Sequence, residues 1–540
     1  MSHTVPADVP RGVFIGGSWS EAASGPSSEA SGQGLEAEGA SGPRSVGVSG
    51  PGSEAVSGAC SEGASGSDAV HEPRSEGASG RAATFGVVDP ATGERLALVA
   101  DAGPADAIRA LDAAEAVQES WAATAPRVRS EILHRAYELM VQRTDELARL
   151  ATLEMGRPLA ESRAEVAYAA EFLRWFAEEA VRIGGDYRVA PGGDFRIVTT
   201  RQPVGPCYLI TPWNFPLAML TRKIGPALAA GCTVILKPAE ATPLCGLALA
   251  ALLAEAGVPD GVVNVLPTAD PARLTDALLG DGRLRKLSFT GSTGVGVRLL
   301  EQSARHVLRV SMELGGNAPF LVFDDADVDA AIEGAMLAKM RNMGQSCVAA
   351  NRFIVHEAVA ERFTAGLRAR FAALRVGPGL DPESQVGPLI DEAARTKVAS
   401  LVSDAADKGA TIEVGGSALD RPGFFYAPTV VTGVPEDASL TSEEIFGPVA
   451  AIATYPDEAS MLTAANATTA GLVAFAYTRD VNRAMRVGEA LQTGMVGLNR
   501  GLVSNPAAPF GGVKHSGLGR EGGEEGITEY LELKYLALQT

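Results

Sequence analysis

The sequence predicts an α/β protein with two doubly wound domains. Four strand–helix repeats lie between residues 207 and 302, and a second alternating series runs from Phe320 to about Tyr477. The chain has 540 residues, of which 46% are hydrophobic, so it is long enough to form more than one buried core. Repeated β-α units build parallel sheets, which bind ligands at the carboxyl ends of their strands. We therefore expect two lobes separated by a crevice.

Composition restricts the partners and the compartment. The formal net charge of −19 argues against nucleic acid or an anionic membrane as the main partner. The five cysteines are scattered and include no CxxC pair, so a disulfide framework is not expected. The longest apolar stretch, at 244–254, is short for a membrane span, and the N-terminus lacks an apolar stretch after a basic one. A cytoplasmic protein that does not bind a membrane is expected.

A low-complexity segment, residues 20–81, interrupts the N-terminal region. It is rich in Ser, Gly, Ala and Glu, and it carries nine acidic residues against three arginines. Because it has too little apolar surface to offset the entropy of ordering, it is predicted to be a disordered insertion. A docking segment for a partner is the alternative. The flanking segments 13–19 and 85–94 are predicted to be strands that pair as one hairpin, from which the insertion hangs.

The remaining elements follow in order. Apolar residues at three- and four-residue spacing predict helices at 105–122, 127–154 and 159–183. The first α/β series then has predicted strands at 207–211, 232–237, 262–266 and 286–290, with helices at 216–230, 243–256, 271–279 and 294–302.

Three residues at strand ends or turns have side chains suited to covalent chemistry. Cys347 follows a polar, glycine-containing turn, so it is either a nucleophile or an inert small residue. Glu313 ends an apolar strand, where burial would raise its pKa towards that of a general base, unless it pairs with an arginine. Asn214 follows the first strand of the series, where its amide could donate to an oxyanion or simply form a turn.

Two strand-to-helix turns are candidates for binding a nucleotide. The Gly-Ser-Thr-Gly-Val-Gly turn at 291–296 would let backbone N–H groups approach a phosphate, although such turns are also purely structural. Lys237 and Glu240 end a neighbouring strand, where they could bind ribose hydroxyls, or Glu240 could be an ordinary acid at a helix N-terminus.

Seven motifs in order resemble those of the NAD(P)-dependent aldehyde dehydrogenase superfamily. They are Pro-Trp-Asn-Phe-Pro at 212–216, Lys-Pro-Ala-Glu at 237–240, Phe-Thr-Gly-Ser-Thr at 289–293, Met-Glu-Leu-Gly-Gly at 312–316, Gly-Gln-Ser-Cys at 344–347, Glu-Glu-Ile-Phe-Gly-Pro at 443–448 and Pro-Phe-Gly-Gly at 509–512. The segments 178–186, 339–342, 501–505 and 526–535 are most similar to the branch that oxidises succinate semialdehyde.

The resemblance implies a role for each matching residue. Cys347 is the implied nucleophile, Glu313 the base that activates water and Asn214 an oxyanion donor. The implied cofactor is NAD, with NADP possible, and no metal is implied. The implied cofactor-binding residues are Trp213, Lys237, Pro238, Glu240, Phe289, Gly291, Ser292, Glu444 and Phe446.

For the substrate, the resemblance places Arg182, Arg341 and Ser504 around the far carboxylate of a small semialdehyde. Arginine binds carboxylates in a bidentate way, and two cations in one pocket would disfavour uncharged aldehydes. The alternatives are glutarate semialdehyde or another aldehyde. A different class of function, an inactive scaffold that binds partners through its acidic insertion, also remains open.

The resemblance also implies the domain limits and the assembly. The cofactor-binding domain would comprise 1–19, 82–184 and the Rossmann-like 204–314, interrupted by the insertion at 20–81. Bridging strands would span 185–203, the catalytic domain 315–508, and a C-terminal segment with an oligomerisation strand 509–540. The resemblance implies that the bridging strands and a strand near 533–538 form a small β element. Members of the family form homodimers or homotetramers through this element.

Overall fold

The computed structural model of the chain describes residues 4–6, 8–22 and 83–539. The predicted insertion at 20–81 lies outside the described residues, apart from residues 20–22. Across these ranges, no helix has both the length and the apolar character required to cross a bilayer.

The described elements are twenty strands and fifteen α-helices. The strands are β1 Val13–Ile15, β2 Ser18–Ser20, β3 Thr84–Val88, β4 Arg95–Ala100, β5 Asp186–Val189, β6 Arg196–Pro203, β7 Cys207–Ile210, β8 Val234–Lys237, β9 Val263–Val265, β10 Lys286–Thr290, β11 Arg309–Glu313, β12 Ala318–Val322, β13 Ala350–His356, β14 Thr411–Val414, β15 Thr429–Thr432, β16 Val449–Tyr455, β17 Val473–Tyr477, β18 Met495–Leu498, β19 Gly517–Leu518 and β20 Leu531–Leu538. The helices are α1 Pro104–Ala123, α2 Pro126–Gln142, α3 Thr144–Met155, α4 Leu159–Ala180, α5 Ala218–Ala230, α6 Pro243–Ala256, α7 Pro271–Leu279, α8 Thr293–Ser303, α9 Val328–Met340, α10 Glu357–Ala372, α11 Glu392–Asp407, α12 Ser439–Ser442, α13 Glu458–Asn466, α14 Val481–Ala490 and α15 Gly523–Thr528.

Two large sheets confirm the predicted pair of α/β units. The first has the order β19-β11-β10-β7-β8-β9-β1-β2, and its five central strands from β11 to β9 are parallel. The second has the order β14-β15-β16-β13-β12-β17-β18 and is parallel except for β14. Central strands of both sheets are buried on both faces, as parallel sheets covered by helices require.

Alternate residues of a strand pack into different cores, because successive side chains of a strand point to opposite faces. In β7, Cys207 and Leu209 join the core under α2, α4, α5 and α6, whereas Tyr208 and Ile210 join the core under α1 and α7. The first sheet is thus sandwiched between two helical layers.

The predicted N-terminal hairpin is wrong. Strand β1 pairs with β2, and Phe14 of β1 also pairs with Val265 at the edge of the first sheet. Strand β3 pairs instead with β4 as a separate two-stranded sheet. Each segment pairs with the strand that follows it in the chain, because the Gly16-Gly17 turn and the Thr92-Gly93 turn close two separate hairpins.

The predicted helix at 127–154 is two helices. Helix α2 ends at Gln142 and α3 begins at Thr144, with Arg143 between them at φ −99° and ψ 22°. The other predicted helices of this region correspond to α1 and α4.

A three-stranded antiparallel sheet stands apart from both large sheets. Its order is β20-β6-β5, and all residues of β20 except Leu531 are exposed. Exposed apolar side chains on it include Tyr187, Val189, Leu533 and Tyr535.

Candidate active site

The loops that carry the predicted residues meet between the two large sheets. Trp213, which follows β7, packs edge-to-face on Phe446, which precedes β16, with ring centroids 5.4 Å apart. The backbone N–H of Gly316, which follows β11, donates to Oε1 of Glu444 at 3.1 Å. The carboxyl ends of strands in the first sheet therefore face the amino ends of strands in the second, at the position expected for a ligand.

Cys347 lies in this region, three residues before β13. It is partly exposed and packs in the same apolar cluster as Trp213. Burial raises the pKa of its thiol to about 12, the charge of Arg222 opposes that rise, and the charges of Glu444 and Glu313 add to it. Without a cofactor or substrate, the thiol is therefore protonated at neutral pH.

A left-handed turn precedes Cys347. Asn342, Met343 and Gly344 have φ values of 54°, 55° and 73°. For a residue with a side chain, this conformation costs roughly 1–2 kcal/mol, so other contacts must hold it. A Cβ on Gly344 would collide with the carbonyl group of Gly447, which explains the glycine.

Amide hydrogen bonds join this turn to the loop after β7. Asn342 Nδ2 donates to the backbone oxygens of Asn214 and Gln345, both at 2.9 Å. Asn214 Nδ2 donates to the oxygen of Gln345 at 3.3 Å. That bond is long, and the amide of Asn214 points towards the segment that carries Cys347, so it is available to a nearby oxyanion.

Glu313 ends β11 and is 3% exposed. Neither of its carboxylate oxygens has a hydrogen-bond partner within the described residues. Its pKa lies well above the usual range because it is buried and because Glu521 is nearby, while Lys223 and Arg222 oppose the shift. A buried carboxyl group without a partner, close enough for its charge to raise the pKa of Cys347, has the properties of a general base.

The sequence interpretation missed Arg222. All residues of α5 are buried, including Arg222 and the adjacent Lys223. The Arg222 guanidinium lies 4.0 Å from the ring centroid of Phe510, and its Nη2 donates to the hydroxyl group of Tyr168 at 2.8 Å. Two adjacent cations in an otherwise apolar helix were the available signal, because buried charges are costly unless they are paired or functional.

Arg341 lies near the same aromatic groups. Its guanidinium is 4.7 Å from the ring centroid of Phe215 and 5.8 Å from that of Tyr168. Burial lowers its pKa. Arg222 lies 5.9 Å from the Tyr168 ring, so the structure brings two cations together around Tyr168.

Arg182 and Ser504 have more open positions. The side chain of Arg182 is 57% exposed and pairs with Glu179 at 2.5 Å. It lines an open cavity of about 500 Å³ together with Trp175 and Ala507. Ser504 is partly exposed, and its neighbour Val503 packs in the cluster that contains Cys347. Arg182 is therefore at the protein surface, whereas Arg222 is in the interior and Arg341 is partly exposed.

The predicted cofactor-binding residues lie at neighbouring strand ends. Lys237 Nζ donates to Glu240 Oε2 at 3.0 Å, and the Glu240 side chain is 40% exposed. Pro238 between them is buried. Burial raises the pKa of Glu444 to about 7, while Lys397 and Lys339 oppose the rise.

The turn after β10 leaves room for a phosphate. A Cβ on Gly291 would collide with the Phe289 ring, so only glycine brings the backbone this close. Ser292 is exposed at the N-terminus of α8, and the buried Thr290 hydroxyl lacks a partner within the described residues. An amine, carboxylates and a helix N-terminus are groups that bind ribose and pyrophosphate, so these residues fit a dinucleotide.

Comparison with known proteins gives consistent matches. The sequence model of the Aldehyde dehydrogenase family matches residues 78–536. The chain is 57% identical over 443 residues to succinate-semialdehyde dehydrogenase of Paenarthrobacter nicotinovorans, covering 82% of this chain and 98% of the relative. It is 50% identical over 452 residues to the NADP-dependent succinate-semialdehyde dehydrogenase GabD of Escherichia coli K12, covering 84% and 94%.

A third relative differs in its substrate. Glutarate-semialdehyde dehydrogenase of Pseudomonas putida is 49% identical over 455 residues, with 84% of this chain and 94% of the relative covered. Among solved structures, succinate-semialdehyde dehydrogenase from Burkholderia pseudomallei superposes with a TM-score of 0.87 at 43% identity, with full coverage of both chains.

Proposed function

This chain belongs to the aldehyde dehydrogenase family, and on that premise we propose that it oxidises succinate semialdehyde to succinate with NAD(P). The observation that carries the proposal is the meeting of Cys347, Asn214 and Glu313 beside the buried Arg222 and the partly exposed Arg341. None of these three side chains is required for packing, so their convergence supports an enzyme over an inactive scaffold.

The first step forms a covalent adduct on the protein. Cys347 loses its thiol proton to solvent water, and the resulting thiolate attacks the aldehyde carbon to form a thiohemiacetal whose oxygen carries the negative charge. Its oxyanion accepts hydrogen bonds from Asn214 Nδ2 and from the backbone N–H of Cys347. Each donor of this kind contributes about 3–4 kcal/mol to catalysis.

A dinucleotide, when bound, would supply the hydride acceptor needed to turn the adduct into a thioester. Lys237 and Glu240 would hold its adenosine ribose, Ser292 and Gly291 its pyrophosphate, and Glu444 its nicotinamide ribose. Pro238 and Phe289 shape the ends of their strands, and the contacting rings of Trp213 and Phe446 would lie on the nicotinamide side. Glu313 then takes a proton from the water that hydrolyses the thioester, which releases the carboxylate product.

For the far carboxylate of the substrate, the positions of Arg341 and Arg222 on either side of Tyr168 support a clamp by these two residues. Arg222 joins Arg341 in this assignment because of its place beside Tyr168, although it also lies 3.6 Å from Glu521; Arg182 pairs with Glu179 and lines the open cavity. We keep Arg182 at the entrance of the site and Ser504 on the loop beside it.

Glu240 supports a preference for NAD over NADP. A carboxylate at the ribose repels a 2′-phosphate and accepts a hydrogen bond from a free hydroxyl. Glu240→Ser should raise the NADP/NAD ratio of kcat/KM, and an unchanged ratio would contradict this preference.

The exposed apolar side chains of the β20-β6-β5 sheet support assembly into a homodimer or homotetramer. Leu533→Glu should lower the mass measured by sedimentation.

The deciding experiment compares NADH formation from succinate semialdehyde, glutarate semialdehyde and propanal. We expect the highest kcat/KM with succinate semialdehyde. Arg341→Ala and Arg222→Ala should each lower it about 100-fold, with much smaller losses for propanal, because only the semialdehydes carry a carboxylate. Arg362→Ala, at an exposed arginine, is the control.

Each other outcome has a definite meaning. A preference for glutarate semialdehyde would move the assignment to the activity named for the Pseudomonas putida relative. Equal activity with all three would disprove the carboxylate clamp. No activity with either nucleotide would favour the scaffold.

A further inference from the structure

Two carboxylates on the first turns of α4 hold the two loops that carry the site. Glu161 and Glu165 are four residues apart, so their side chains lie on the same face of the helix. Oε1 of Glu165 accepts from the backbone N–H groups of Leu217 and Ala218, at 2.9 and 3.0 Å. These bonds fix the start of α5 and the loop before it, which contains Asn214.

Glu161 makes the corresponding bond to the other loop. Its Oε2 accepts from the backbone N–H of Asn342 at 2.7 Å. Asn342 is the first of the three left-handed residues in the turn before Cys347. This short bond acts where the backbone conformation is unfavourable.

We infer that Glu161 is a positioning residue, which fixes the turn at 341–344 and so sets the place of Cys347 relative to Asn214. The inference rests on the proposed function. Because Glu165 fixes one loop and Glu161 the other, the spacing of two carboxylates on one rigid helix determines how the nucleophile faces the oxyanion donor. The side chain of Asn342 completes the connection through its bond to the backbone of Asn214.

The charges around Glu161 suit this role. Burial raises its pKa, whereas the Asn342 N–H and the positive charges of Arg157 and Arg341 oppose the rise. Arg157 Nη2 donates to Glu165 Oε2 at 2.5 Å. The guanidinium groups of Arg157 and Arg341 lie 5.0 and 4.7 Å from the centroid of the Phe215 ring.

Three substitutions at Glu161 distinguish the effect of the position of the acceptor oxygen from the effect of its charge. Glu161→Gln has a side chain of the same length, so it keeps an acceptor oxygen at the same distance from the backbone but removes the charge. Glu161→Met has a similar size and no acceptor, and Glu161→Asp keeps the charge but shortens the side chain. Glu178→Ala, at an exposed position of the same helix, is the control.

The measurements are kcat and KM with succinate semialdehyde and with propanal, the alkylation rate of Cys347 by iodoacetamide, and the thermal unfolding midpoint. We expect Glu161→Met and Glu161→Asp to lower kcat for both aldehydes about tenfold or more, with KM changed about twofold at most. The alkylation rate should change in both, because the thiol environment changes. Glu161→Gln should keep kcat within about threefold of the unsubstituted protein.

Two results would overturn the inference. One is a lower unfolding midpoint in the Met and Asp variants with unchanged kcat and alkylation rate, which would show a purely structural role. The other is a Gln variant as impaired as the Met variant, which would show that the hydrogen bond is not the cause. Alkylation needs neither substrate nor cofactor, so it tests the inference even if the proposed oxidation is not observed.

Discussion

In the proposed mechanism Glu313 acts on water and not on the aldehyde, so its substitution should separate the two halves of the reaction. Glu313→Gln should give one burst of NADH, equivalent to the number of sites, followed by turnover slowed about 100-fold or more. The acyl-enzyme should be seen by mass spectrometry as an adduct on Cys347. A steady-state rate equal to that of the unsubstituted enzyme would remove Glu313 from this role.

The thiol of Cys347 should show its burial in the pH dependence of its alkylation. Its pKa of about 12 in the absence of ligands lies above the working range, so the thiolate fraction should rise about tenfold for each pH unit. We expect the iodoacetamide rate at Cys347, followed by peptide mass spectrometry, to increase in this way from pH 7 to 10. A plateau near pH 8 would contradict the assignment.

Among individual residues, the sequence predicted those that belong to short contiguous motifs, and the structure brings Cys347, Glu313 and Asn214 into one region. It did not predict Arg222 or Glu161. Their contacts cross from one element to another, to Phe510 and Asn342 respectively; the charged pair in α5 marked Arg222 as unusual, but no local pattern identifies the partner of either residue. Arg182 was predicted from a matching motif, but the motif did not indicate how exposed the side chain would be.

Among the elements, the turn at 341–344 offers the sharpest test. Gly344→Ala places a Cβ against the carbonyl of Gly447 at a positive φ, so it should lower the free energy of unfolding by about 1–3 kcal/mol. It should also lower kcat, because the turn carries Cys347. Gly103→Ala is the control, since no atom lies within 4 Å of a Cβ there. Equal effects of the two changes would show that the turn is not under strain.

Helices with strong apolar periodicity were predicted well. A break between two helices and the pairing of strands were predicted less well. Helix α6 has the predicted bounds, because Pro243 begins it and Gly257 follows it in a left-handed conformation. The break at Arg143 was missed because the apolar spacing continues across it. The pairing of β1 was also missed, since strand partners depend on contacts between distant segments.

For the whole molecule, deletion of the acidic low-complexity segment distinguishes an active enzyme from an inactive scaffold that binds partners through that segment. Removing residues 23–81, which spares Ser20 of β2 and the buried Ala22, should leave kcat/KM for succinate semialdehyde within about twofold, because low-complexity segments contribute little to a folded core. The control is the full chain assayed at the same concentration. Loss of activity in a truncated protein with an unchanged unfolding midpoint would assign the segment a part in the reaction.

Helix α5 has every residue buried, and Arg222 is one of them. A directed-evolution library aimed at new aldehydes would therefore gain little from randomising this helix, since most replacements would cost folding before they altered selectivity. The loop at 501–509 is more permissive, because several of its side chains are exposed and it contains both Ser504 and two residues, Ala507 and Pro509, that line the cavity beside Arg182. Engineers seeking a broader range of aldehydes would start there, with the arginine of α5 left in place.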